Sequence, residues 1–353
     1  MSLLVTLAVV VVVLVLFSIV GDICLKKYYG SDDDSDEIHT FHTSDGVELS
    51  IYRYIPAEKK HEHPVLVVHG LASNNRNLAL NEETGLVQYL RDKGFECWAL
   101  DLRGRCGSEV PSGNWSYQDY SEKDVPAAVE FVKDETDADG VHWVGHSMGG
   151  MLFYTTAPER EDYVSAVTLG SPAAFQDRFY FLALAELGKL WSPLLKALRR
   201  NYFLPFLTRW AAVWLPITPR FISNWTLNKS NIKMSTARKF AANGMAMVSF
   251  NVLLEFGDWI VDREWRSPDG EIDYYRRLSH IDVPTLVVAG KADQLAPERD
   301  VEVAYHELGT DRKEFIHAGE GTDDKYGHVD MAVGDKAREQ VFPEVEEWLS
   351  RFG

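Results

Sequence analysis

The sequence predicts an α/β fold, a mostly parallel sheet with helices on both faces and an inserted helical cap, on three observations. From about residue 38, short apolar strand-like runs alternate with helical stretches. A parallel sheet covered on both faces requires that pattern, because its strands are buried on both sides. Between Pro172 and about Asp282 the alternation stops, giving way to helix-like, aromatic-rich sequence, and then it resumes. The chain of 353 residues, 46% hydrophobic and 25% charged, is long enough for one large core with an insertion and is not the composition of a disordered chain. The expected organisation is 1–37 as an N-terminal segment, 38–171 and 283–353 as the two parts of the core, and 172–282 as the cap.

The elements follow in order. Residues 3–20 read LLVTLAVVVVVLVLFSIV, and with Gly21 the run has 19 residues, close to the ~20 that cross a hydrocarbon layer of ~30 Å. It lacks the positive n-region and the A-x-A-like site of a cleaved signal. A single-pass N-terminal membrane anchor is therefore expected. Lys26 and Lys27 behind it place the catalytic part on the cytoplasmic side, and Asp32, Asp33, Asp34, Asp36 and Glu37 read as a solvated acidic spacer. Segments 38–43 and 47–55 are strand-like and joined at Asp45-Gly46, a good hairpin turn. Strands are then expected at 65–68, 95–100, 141–144, 164–169, 285–289 and 313–316, and helices at 82–91, 120–132, 148–156 and 331–348.

Chemistry is signalled by Gly145-His146-Ser147-Met148-Gly149, framed by a strand before and a helix after. That is the context of a nucleophile elbow, where a tight strand-to-helix turn projects a serine hydroxyl and glycines let the two elements approach. A serine needs a base, and the base needs an acid that fixes its tautomer. In this layout they follow in the order Ser, acid, His, each in a loop after a strand. Asp293, in G-K-A-D-Q-L-A-P, is the best placed acid; Asp300, Asp311 and Asp323 sit farther from that strand end. Of the 11 histidines, His328 in Y-G-H-V-D is the best placed base, while His317 reads as structural. Asp330 belongs to the first turn of the helix that follows, where a carboxylate is favoured. The oxyanion donors are expected to be the backbone N–H groups of Met148 and of Leu71, the latter in H-G-L-A-S after the strand 65–68. His69 in that loop reads as its organiser. His39/His42 and His61/His63 lack a third ligand in recognisable geometry, so no metal site is expected.

These motifs, with V-V-H-G-L (67–71), D-L-R-G-R-C-G-S (101–108), G-H-S-M-G-G (145–150) and G-K-A-D-Q-L-A-P (290–297), resemble the serine α/β-hydrolase superfamily over about 38–170 and 282–350. D-Q-L-A together with Y-G-H-V-D-M-A-V-G (326–334) and A-R-E-Q-V-F (337–342) is similar to the acid-lipase branch, with some likeness to poly(3-hydroxyalkanoate) synthase-like proteins. The resemblance implies an eight-stranded sheet with a cap, a Ser147–Asp293–His328 triad, no cofactor, and lipidic or hydroxyacyl ester substrates. The polymer synthases carry cysteine where this chain has Ser147, which favours hydrolysis over chain elongation. The expected activity is hydrolysis of carboxylic esters of apolar substrates. An acyltransferase on the same triad and a non-catalytic membrane scaffold stand as alternatives.

Charge is unevenly spread. The net charge is −17, yet residues 187–254 carry ten Lys and Arg and no Asp or Glu. They also hold Trp191, Trp210, Trp214 and Trp225. Two readings stay open: a small cap core with a solvated basic face, or a lid that meets a membrane, with Arg199 and Arg200 foremost. Nucleic acid is not an expected partner, because no recognition motif accompanies the charge.

Overall fold

The computed structural model describes residues 18–176, 179–198, 203–219, 223 and 226–352. Strands β1 (Glu37–His42), β2 (Glu48–Tyr54), β3 (Val65–Val68), β4 (Cys97–Asp101), β5 (Val141–His146), β6 (Tyr163–Leu169), β7 (Thr285–Ala289) and β8 (Lys313–His317) form one sheet of eight in the order β1-β2-β4-β3-β5-β6-β7-β8. The β1/β2 and β2/β4 pairs are antiparallel and the others parallel. The strand order reverses around β3, so the loops after β3 and β5 leave the sheet side by side. Open α/β sheets hold ligands in that crevice.

The apolar runs become central strands because both faces are covered: every residue of β3, β4, β5 and β7 is buried. Side chains alternate as the pleat demands. Leu66 and Val68 enter one core with Trp98 and Trp143, while Val65 and Val67 enter the other with Ala99 and Val144. The Asp45-Gly46 turn closes through Thr43, whose carbonyl accepts the Gly46 N–H at 2.9 Å, with Gly46 at φ +83°.

Helices described before the insertion are α1 (residues 18–29), α2 (Leu86–Asp92), α3 (Tyr117–Asp119), α4 (Val125–Thr136) and α5 (Met148–Thr156). Within it lie α6 (Phe179–Leu190), α7 (Ser192–Leu198), α8 (Phe203–Trp214), α9 (Met234–Asn243) and α10 (Phe250–Asp262), and after it α11 (Glu298–Glu307) and α12 (Phe342–Ser350). This inserted helical region has the character of a cap. It is fastened to the core by the Tyr117 N–H donating to Glu255 on α10 at 2.7 Å, and by the Ala246 N–H donating to the Ala72 carbonyl at 2.9 Å. The helix expected over 331–348 is broken into Asp330–Val333, Ala337–Gln340 and α12. Gly334 turns extended after the first piece, and Pro343, which has no N–H to continue a helix, sits in the first turn of α12.

The N-terminal expectation is corrected. Among the described residues no helix is long and apolar enough to cross a membrane. Residues 3–17 of the expected span lie outside the described residues. The part that is described, α1, docks on the inserted helices. Asp22 receives two hydrogen bonds from Arg209 of α8, at 2.6 and 2.9 Å. Gly21 lies against the Trp210 ring so closely that a Cβ there would come within 2.4 Å of it. The Tyr29 carbonyl accepts from Asn243 of α9 at 2.9 Å. The acidic spacer is tied down as well: Asp34 accepts from the Gln88 amide at 3.0 Å and Asp36 from the Ile55 N–H at 2.7 Å. A transmembrane anchor, the membrane as a partner, and a catalytic domain held on the cytoplasmic side of it are therefore not supported.

The basic insertion is corrected with it. Lys189 pairs with Asp258 and Asp262, Arg209 with Asp22, and Lys233 with Asp335. Lys229 donates to the Leu215 and Thr218 carbonyls, and Arg238 to that of Ala212. These cations serve contacts within the chain. Arg199, Arg200 and Trp225 lie outside the described residues.

Candidate active site

Ser147 stands between β5 and α5 at φ 55°, ψ −119°, a conformation that a side-chain-bearing residue adopts only under constraint. The constraint is visible. The Ser147 N–H donates to the Leu169 carbonyl at 2.8 Å, and its carbonyl accepts from Gly150 and Met151 at 3.0 and 3.2 Å. A Cβ on Gly145 would lie 2.5 Å from the Gly149 backbone, and one on Gly149 only 2.1 Å from the Val68 carbonyl oxygen. The glycines of the motif are what allow strand, turn and helix to close around the serine.

His328 and Asp293 arrive on the loops after β8 and β7. His328 Nδ1 donates to Asp293 Oδ2 at 2.7 Å, and both residues are buried, at 7% and 6% exposure. The other carboxylate oxygen accepts from the Leu295 and Ala296 N–H groups at 2.8 Å each, so Asp293 is held as an acceptor. With Nδ1 engaged, Nε2 is the ring nitrogen left for proton transfer. Gly170, at φ +55°, passes close by: a Cβ there would come within 3.2 Å of Asp293 Oδ2 and 3.3 Å of His328 Nδ1. Asp300, an alternative acid by composition, instead caps the chain at Gln176, whose N–H donates to it at 3.0 Å. His317 pairs with Glu298 at 2.8 Å, away from this constellation.

The loop after β3 brings Leu71 to the same place. Gly70 abuts the elbow so tightly that a Cβ on it would lie 3.1 Å from Ser147 Cβ. His69 donates from Nδ1 to the Gly70 carbonyl at 2.8 Å and accepts the Leu102 N–H at Nε2, 3.3 Å. These roles fix a neutral tautomer, and burial with the nearby Arg105 pushes its pKa down to about 3. Among the described residues the peptide bonds are all trans, so pinning the Gly70 oxygen on one side aims the Leu71 N–H of the same peptide to the other. Met148 opens α5, where an N–H has no intrahelical acceptor. Among the described residues, neither the Leu71 nor the Met148 N–H is taken by another group.

Asp330 joins the His328 loop to the insertion. It accepts from the Asn228 N–H at 2.7 Å, the Asn231 amide at 2.9 Å and the Gly327 N–H at 3.1 Å. Burial raises its pKa, and these hydrogen bonds oppose the rise. Two side chains carry contacts that sequence reasoning passed over, Asn77 and His146. Nothing in the sequence marks Asn77 beyond its place in the N-N-R-N run (74–77), and His146 lies inside a motif whose pattern leaves that position unspecified.

Ser147, His328 and Leu71 open onto a cavity of about 650 Å³ between the core and the inserted helices. Its wall is apolar, with Ala212 and Leu215 from the α8 region, Phe240 from α9, and Leu253 and Leu254 from α10. Pockets of this size and character take small apolar ligands and orient them by a few polar groups. Here the polar lining includes Asn77, His146, Ser147 and His328, with Thr208 and Thr226 from the insertion.

Residues 63–334 match the model of the family described as the alpha/beta hydrolase fold. Human lipase member J is 22% identical over 362 residues, covering 90% of this chain and 96% of that protein. Human lysosomal acid lipase/cholesteryl ester hydrolase is 25% identical over 314 residues, covering 77% and 78%. Among solved structures, the monoacylglycerol lipase of Paleococcus ferrophilus superposes with a TM-score of 0.58 at 16% identity, covering 86% of this chain and 99% of that one. An esterase from Exiguobacterium antarcticum gives 0.56 at 16%, covering 88% and 98%. At those identities the structures speak for the fold alone.

Proposed function

The chain belongs to the α/β-hydrolase fold family, and from that premise we propose that it is a serine hydrolase that cleaves carboxylic esters of apolar acids, of the acid-lipase kind. The carrying observation is the 2.7 Å His328–Asp293 hydrogen bond at a largely apolar cavity that both His328 and Ser147 line. The sequence likeness to lipases, one of them named for cholesteryl ester hydrolysis, agrees with it.

In the cycle, Ser147 attacks the ester carbonyl while His328 Nε2 takes the hydroxyl proton. The developing oxyanion is met by the N–H groups of Leu71 and Met148. His328 then gives the proton to the departing alcohol, takes another from the water that attacks the acyl-enzyme, and returns it to Ser147 Oγ as the acid leaves. Asp293 holds the imidazole in the Nδ1–H tautomer throughout and stabilises its charged form. Among the described residues Ser147 Oγ makes no hydrogen bond to His328; such contacts often tighten only when substrate arrives. The apolar wall receives the acyl chain, and the elbow is the serine version suited to hydrolysis by water. No step calls for a cofactor.

The test is covalent labelling by a serine-directed phosphonate together with turnover on a series of p-nitrophenyl esters. The parent is expected to label and to hydrolyse. Ser147→Ala should do neither, and His328→Ala should lose a similar factor, because such groups act as a unit. Asp293→Asn should lose on the order of 10⁴ in kcat, the loss known for a serine-protease acid. Full labelling of the S147A protein would remove Ser147 as the nucleophile.

A further inference from the structure

We infer that Asn77 and His146 form a positioning pair that locks the oxyanion loop and the base loop to the elbow; the inference rests on the reading of Ser147, His328 and Leu71 given above. Asn77 closes the short turn Asn75–Asn77 and is 1% exposed. Its Oδ1 accepts the Gly70 N–H at 3.0 Å and lies 2.8 Å from Nδ1 of His146. His146 is 3% exposed, and its Nε2 lies 2.9 Å from the main-chain carbonyl of His328. Two side chains thus connect three loops that come from different strands.

The geometry says what each link controls. Gly70 is held by its N–H on Asn77 and by its carbonyl on His69, so the two peptides flanking it cannot rotate, and the Leu71 N–H keeps its aim. The His146 bond fixes the backbone that carries the base against the residue next to the nucleophile. Both ring nitrogens of His146 face oxygens, so neither is free to exchange a proton with a substrate. His146 therefore positions and does not catalyse.

The ring also explains why the pair is sensitive. A carbonyl only accepts, so Nε2 needs a hydrogen toward His328, and Asn77 Oδ1 asks for one from Nδ1. Burial and the neighbouring His328 and His69 hold the ring's pKa well below that of an ordinary histidine. A neutral ring satisfies one oxygen at a time, and an uncharged substitute that keeps one donor should preserve much of the function.

The experiment compares the parent with Asn77→Leu, His146→Leu and His146→Gln in the full chain, on a short soluble ester. Active sites are titrated with the phosphonate, so that kcat is expressed per competent site and lost folding does not count as lost catalysis. Both leucine variants are expected to lose about ten- to a hundredfold in kcat, the scale of a catalytic group misplaced by ~1 Å, with KM within about twofold. His146→Gln, whose amide can still donate to the His328 carbonyl, should recover most of that loss. Parental kcat per site in either leucine variant would overturn the proposal, and so would a glutamine variant no better than leucine. A parent that neither titrates nor hydrolyses would instead overturn the reading of Ser147.

Discussion

Gly149 has no room for a methyl group: its Cβ would lie 2.1 Å from a carbonyl oxygen of β3, and backbone cannot step aside as a side chain can. Overpacking costs ~1–3 kcal/mol where neighbours can yield, so Gly149→Ala should lower the unfolding free energy by about 3 kcal/mol. Gly113→Ala is the control, since nothing lies within 4 Å of a Cβ there, and it should stay within about 0.5 kcal/mol of the parent. Urea unfolding of the two variants measures both; equal midpoints would mean that the elbow is not packed as described. The same sterics explain which residues were legible. The G-x-S-x-G spacing announces itself because the turn leaves room only for glycine at Gly145 and Gly149. Asn77 does not, because its meaning comes from His146, 69 positions away, and no local constraint dictates an asparagine there. His69 was readable as a loop organiser because its partner is the next residue, Gly70.

Helix α1 shows the same division between local and distant determinants. As sequence, residues 18–21 at its start read as the end of a membrane span, with Gly21 its last residue and Asp22 just beyond. Their partners, Trp210 and Arg209, lie in the insertion, 187 positions from Asp22 in the case of Arg209, so only the fold reveals that this segment packs against α8. The central strands, by contrast, were legible because burial on both faces imposes an apolar run whatever the partner. The broken helix over 330–350 fell between, since Gly334 and Pro343 were visible but the apolar spacing outweighed them. The Asp22–Arg209 pair is partly buried, at 20% and 16% side-chain exposure. Asp22→Asn and Arg209→Gln should each cost about 1 kcal/mol. The double variant should cost less than the two together, because both single changes break one interaction. Additive losses in thermal or urea unfolding would show that α1 does not use this pair to hold the insertion.

Core and insertion meet at a carboxylate. Glu255 of α10 accepts the Tyr117 N–H at the start of α3, where Ser116 and Asp119 form a capping box. Taking that carboxylate out of water pushes its pKa up to about 7, with Asp119 and Asp258 adding to the rise and Lys196 and the Tyr117 hydrogen bond opposing it. An unfolded glutamate gives up its proton near 4.3. Between that value and about 7 the folded chain holds a proton that the unfolded chain has released. The unfolding free energy therefore falls as pH rises through this window, and the contribution is complete only below it. Glu255→Gln keeps an oxygen for the Tyr117 N–H and removes the charge. Its melting temperature should match the parent's near pH 4.5, then rise above it by several degrees as pH approaches 7.5, the gap levelling off beyond. Because the insertion forms one wall of the apolar cavity, turnover on long-chain esters should hold up better with rising temperature in the variant at pH 7.5 than in the parent. A difference in melting temperature that is the same at every pH would show that Glu255 does not titrate at this junction, and the pH response would then have to come from another buried carboxylate, such as Asp124 beside Arg103, whose burial also pushes it up to about 7.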